Sequence, residues 1–123
     1  MCQIATITEI ESFLCNLKRQ IKQNDGEVYI VEREQNTSLL TEIGLIKQDV
    51  VDLIINELSY RDYSKGPEED DDITKGGGDV WVFNKEIWGF NLYFKLKYIK
   101  SIPVLVKIIS IHEATREMKT PYR

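Results

Sequence analysis

Residues 79–99, DVWVFNKEIWGFNLYFKLKYI, decide the fold. Val80-Trp81-Val82-Phe83 is a run of β-branched and aromatic side chains that fits a buried strand. Trp88-Gly89 sits where a hairpin would turn, and Leu92 to Ile99 reads as the returning strand. Side chains alternate across a strand. Leu92, Phe94, Leu96 and Tyr98 therefore share one face, and Tyr93, Lys95, Lys97 and Ile99 share the other. The apolar face needs a cover. The Tyr-Lys face is expected to stand open to solvent or a ligand.

Toward the C-terminus, Ser101-Ile102-Pro103 is a connection and Val104 to Ile111 a third strand, ending at His112-Glu113. A charged tail runs from Ala114 to Arg123. Sequential strands with short links pair as antiparallel neighbours. Toward the N-terminus the texture is helical. Thr8-Glu9-Ile10-Glu11 has the pattern of a capping box, and Ile10, Phe13, Leu14, Leu17 and Ile21 follow at helical spacing. Asp25-Gly26 ends that helix, and Val28 to Val31 is a short β-type run. Residues 37–44 form a short helix closed by Gly44, and 47–58 a third helix with Val50, Leu53, Ile54 and Leu58 inward. Gly66-Pro67 breaks any helix and opens a polar loop over 66–78 that holds five consecutive acids from Glu68 to Asp72. Such a run repels itself, so the loop is expected to be mobile. Consecutive carboxylates do not by themselves converge on one cation, so no metal is expected there. The resulting class is α+β: N-terminal helices covering one face of a small antiparallel sheet built mainly by the C-terminal half.

The bulk numbers agree with one domain over residues 1–123. The chain is 42% apolar and 29% charged, ordinary for a globular protein that needs no disulfide or metal for its core. No apolar run approaches the ~18 residues of a membrane span. The N-terminus lacks the basic segment of a signal peptide. Cys2 and Cys15 have no partner spacing for zinc and read as reduced thiols of a cytoplasmic protein. Residues 1–78 hold 8 basic and 16 acidic side chains, net −8, whereas 79–123 hold 8 and 4, net +4. That imbalance marks either a basic working face or a chance surface distribution.

No nucleotide-binding glycine loop and no nucleophile elbow is present, and one histidine excludes a multi-histidine metal centre. What remains is Lys65, Trp81, Tyr93, Lys95, Lys97 and His112. Lysines neutralise phosphate, aromatics stack on unpaired bases, and a histidine or tyrosine can move protons. RNA carries its own nucleophile in the 2′-hydroxyl. A metal-free ribonuclease then needs a base for the 2′ proton, a cation for the phosphorane and an acid for the leaving 5′ oxygen. The same residues also fit a solvated strand face, a core tryptophan and an ordinary loop lysine. Spacing alone leaves both readings open.

At these residues the chain resembles the MqsR family of bacterial toxins, from about Ile10 to Glu113. Four blocks carry the resemblance: the helix leading into Gly26-Glu27-Val28; Leu39 to Leu45 with the helix after it; Arg61-Asp62-Tyr63-Ser64-Lys65; and Asp79-Val80-Trp81 with Gly89 to Lys97 and Ser110-Ile111-His112-Glu113. The resemblance implies a RelE-like fold and a metal-independent mRNA interferase of a toxin–antitoxin system, with mRNA as substrate, a cognate antitoxin as partner and no cofactor. Carried over by position, it implies catalytic roles for Lys65, Tyr93 and His112; Trp81, Lys95 and Lys97 are the RNA-contact candidates by their side-chain chemistry. His112 stands where the family has lysine, Val82 where it has glutamine, and the 66–78 loop is longer and more acidic than the family pattern. These departures keep a rival open: a non-catalytic nucleic-acid- or protein-binding module on the same scaffold.

Overall fold

The computed structural model describes residues 4–23, 28–69, 79–99 and 105–123. Helix α1 (Ile7–Gln23) is followed by strand β1 (Tyr29–Ile30) and helices α2 (Glu34–Ile43) and α3 (Lys47–Glu57). A 3-10 turn, Tyr60–Asp62, then leads into strands β2 (Tyr63–Glu69), β3 (Asp79–Ile87), β4 (Phe90–Ile99) and β5 (Leu105–Glu113). The five strands form one sheet in the order β1-β5-β4-β3-β2. β3, β4 and β5 pair antiparallel as expected; β2 adds to β3, also antiparallel, and β1 lies parallel to β5, so the sheet is mixed. The pairing of a two-residue strand is not set by its neighbours in sequence, so local pattern does not reveal this contact.

The helical reading holds for the apolar stripe of α1: Ile10, Phe13, Leu14, Leu17 and Ile21 are all buried. Its start lies two residues earlier than expected. Thr6 Oγ accepts from the Glu9 N–H at 3.1 Å, and Glu9 Oε1 accepts from the Thr6 N–H at 3.0 Å, a capping box on the overlapping Thr6-to-Glu9 pattern. A tertiary tie selects this one. The Ala5 N–H donates to the Tyr63 hydroxyl, which fixes the chain just before Thr6. Gly44 closes α2 in the left-handed conformation, with φ 79°.

The hairpin turn falls where the sequence put it. Trp88 and Gly89 both have positive φ, 53° and 83°, as a two-residue turn matched to strand twist requires. The core lies between the helices and one face of the sheet. Phe13 of α1 stacks on Trp81 with ring centroids 4.6 Å apart, and Tyr63 meets Trp81 edge-on at 6.1 Å. Phe83, Leu92, Phe94, Leu96, Ile108 and Ile111 complete that face.

One segment departs from the sequence reading. Residues 66–69 belong to β2 and are not loop. Gly66 permits this: a side chain there would place its Cβ 2.8 Å from the Val80 carbonyl oxygen. The rest of the expected acidic loop, 70–78, and the 101–103 connection lie outside the described residues. No helix among the described residues is long and apolar enough to cross a membrane.

Candidate functional site

Two irregularities in the sheet build the site. Tyr63 pairs with Phe83 while Lys65 pairs with Val82, so two steps on β2 match one on β3. Without that bulge, Tyr63 and Lys65 would share a face. With it, Tyr63 turns into the core and Lys65 turns to the outer face. The second lies between β4 and β5, where Lys95 pairs with Ser110 but Leu96 pairs with Ile108. The extra residue, Ile109, switches the phase of β5. Ile108 and Ile111 both reach the core, and Ser110 and His112 share the outer face with Tyr93 and Lys95. The free edge of β5 near the bulge is satisfied by one side chain. Asn36 of α2 donates to the Ile109 carbonyl and accepts from the Ile111 N–H at 2.9 Å.

Tyr93 and His112 face each other across the β4–β5 pair, with rings stacked 4.6 Å apart and 14° from parallel. His112 Nδ1 lies 3.0 Å from the Glu113 carbonyl oxygen. A carbonyl only accepts, so Nδ1 carries the hydrogen, and in the neutral imidazole Nε2 is the acceptor nitrogen. Burial pushes the Tyr93 phenol above its ordinary value; the Lys65 and Arg33 cations pull it back, and Glu68 adds to the rise. The phenol is therefore protonated at neutral pH and suited to donate. Lys65 is half-exposed and sits 3.7 Å from the Glu68 carboxylate. Arg33 donates to Ser110 Oγ at 3.3 Å, which sets a further cation beside this face.

Lys65, Tyr93 and His112 line one open cleft of about 1220 Å³. Tyr63, Ser64, Ile4 and the segment from Ala114 to Pro121 complete its lining. That segment has no helix or strand and is held at its ends. The Ala114 N–H donates to the Asn91 carbonyl at 2.8 Å. At the far end the Tyr122 hydroxyl donates to the Ala5 carbonyl at 2.6 Å. Arg123 donates to Asn84 Oδ1 at 3.1 Å and to the Asn84 carbonyl, and pairs with the buried Asp62 at 3.3 Å. Asp62 also meets Lys85 at 3.5 Å and accepts from the Ser59 N–H, so its charge is matched from three sides.

Of the six residues singled out from sequence, three come together and three do not. Lys65, Tyr93 and His112 share the cleft. Trp81 is 7% exposed and packs on Phe13 in the core, which removes it from base stacking. Lys97 is 0% exposed, a correction to the expected open basic face. Lys95 is on the outer face, between Val82 and Ser110, but does not line the cleft. The cleft residues that sequence reading passes over are those of 114–121. Pro121-Tyr122, an aromatic after a helix breaker in an otherwise polar tail, is the available signal that the tail docks. Among the described residues, no three His, Cys, Asp or Glu side chains come together as a metal site.

By fold the chain is an α+β protein; its described residues form three helices and a mixed five-stranded sheet. No protein-family model, no curated protein and no solved structure matches it.

Proposed function

We propose that the protein is a metal-independent endoribonuclease of the MqsR toxin kind, acting on single-stranded RNA in the cytoplasm and held in check by a cognate antitoxin. One observation carries this reading: Lys65 from β2, Tyr93 from β4 and His112 from β5, distant in sequence, line the same cleft. The three roles that RNA cleavage requires match the three groups. His112 Nε2 takes the proton of the 2′-hydroxyl, whose oxygen attacks phosphorus. Lys65 stabilises the charge that develops on the phosphorane. Tyr93, kept neutral because burial disfavours its phenolate, gives its proton to the departing 5′ oxygen. The P–O5′ bond breaks, leaving a 2′,3′-cyclic phosphate and a free 5′-hydroxyl.

The test is incubation of the purified chain with a single-stranded RNA in EDTA. Cleavage to a cyclic phosphate is expected, with no cutting where the 2′-hydroxyl is replaced by hydrogen. His112→Ala is expected to slow it by about 10²–10⁴-fold, the usual contribution of a positioned acid or base. RNA that stays intact with folded wild-type protein would sink the enzymatic reading. The non-catalytic alternative draws on Glu68, which shares Lys65 and sets a negative charge beside the cleft. It predicts salt-sensitive RNA binding with no cleavage.

A further inference from the structure

The cleft has two walls, and the proposed chemistry uses only one. The sheet wall carries a single lysine, and that lysine is already shared with Glu68 at 3.7 Å. The rest of the lining, 114–121, carries Arg116 and Lys119, both exposed. Neither makes a hydrogen bond or ion pair with another described residue. Glu117 stands between them, so the wall is net positive by one charge. The segment is fastened at Ala114 on one side and at Tyr122 and Arg123 on the other. Cations on a stretch fastened at both ends face the cleft without collapsing onto nearby acids.

We infer that residues 114–121 are the second wall of an RNA path, with Arg116 and Lys119 as contacts to phosphates flanking the bond that is cut. The inference rests on the ribonuclease reading for its ligand, and on the cleft geometry for its residues. Division of labour follows. Lys65, Tyr93 and His112 act on one phosphodiester, while Arg116 and Lys119 hold the strand without touching the reacting atoms. An RNA strand offers a charge at every nucleotide, so two added phosphate contacts change affinity and its salt dependence more than the rate of the chemical step.

The experiment compares wild type, the double variant R116A/K119A and His112→Ala. Binding of a fluorescent single-stranded RNA is followed by anisotropy from 50 to 200 mM KCl, as is cleavage at saturating RNA. Both substituted side chains are exposed, so the melting profile is expected to stay put. The double variant is expected to bind about 10-fold more weakly. Its log–log salt slope should be shallower by about 1.4, since each single-strand phosphate left unneutralised removes roughly 0.7. Its cleavage rate at saturation should stay within about 3-fold of wild type, because binding shared by ground and transition states moves KM and not kcat. Unchanged affinity and slope in R116A/K119A, with cleavage abolished in His112→Ala, would overturn the inference and leave the ribonuclease reading intact. Wild type that neither binds nor cuts RNA would overturn both. Wild type that binds a polyglutamate peptide but no RNA would reassign the wall to an acidic protein partner and overturn the inference.

Discussion

Tyr93 and Lys97 lie four residues apart on the same strand and the same face, yet they end in opposite environments. Tyr93 is half-buried, stacked on His112 and open to the cleft. Lys97, opposite Lys107, is fully buried. Strand alternation decides which face a side chain takes and is silent on what covers that face. A charged residue on the outer face is therefore a poor guide to a ligand site. A lysine buried this completely needs a partner, and Lys97 has one. Tyr93 belongs to the cleft, and Lys97 belongs to the structure.

Substitution at Tyr93 and around Lys97 tests both environments. The largest expected effect is on activity at the cleft end. Tyr93→Phe keeps the ring and its stack but removes the proton, and should cost cleavage about 10²–10⁴-fold in a single-turnover assay, with little change in thermal midpoint. Next comes stability at the buried end. Trp81→Ala, which empties the space against Phe13, should cost about 3–5 kcal/mol in urea unfolding. A cost under about 1 kcal/mol would put Trp81 outside the core. Lys97→Ala should cost about 2 kcal/mol or more, and Lys95→Ala no more than about 0.5 kcal/mol, although the two lysines are one alternation apart. Equal costs would erase the contrast.

Smaller effects sharpen the contrast. Burial raises the phenol pKa of Tyr63 as well as that of Tyr93. Each folded-state value lies above the unfolded one, near 10.0. The stability linked to the neutral phenols is thus fully present below about pH 10 and is lost as pH rises through the raised values. Unfolding measured across that window should show a downward slope, flatter in Tyr63→Phe. The smallest expected change is that of Glu68→Gln. Its ion pair with Lys65 is exposed and worth under about 1 kcal/mol. Releasing Lys65 should nonetheless tighten RNA binding, and removing the carboxylate should lower the Tyr93 pKa, readable by ultraviolet titration of the phenol.

Much of this architecture is legible from local pattern. The stripe of α1 and the Gly44 cap follow from helical period and from the ease with which glycine enters the left-handed region. The Trp88-Gly89 hairpin is marked by its turn glycine between two strand-like runs. The β2 strand is hidden because Gly66-Pro67 reads as a breaker. The pairing of β1 with β5 is hidden because two residues carry no register information. Within the site, Tyr93 is readable from alternation, whereas Lys65 and His112 reach it through bulges that alternation cannot predict.

Spacing within single elements settles the class, the helices, the central hairpin and the side of β4 on which Tyr93, Lys95 and Lys97 lie. Which of them is reachable is a matter of packing between elements. The tertiary structure turned Lys65 outward at a bulge, shifted the phase of β5 at Ile109, closed Lys97 and Trp81 away, and fastened the tail across the cleft through Tyr122 and Arg123. The physical reason is common to all four: exposure and convergence depend on which segments pack together, and that is settled by contacts between residues far apart in the chain.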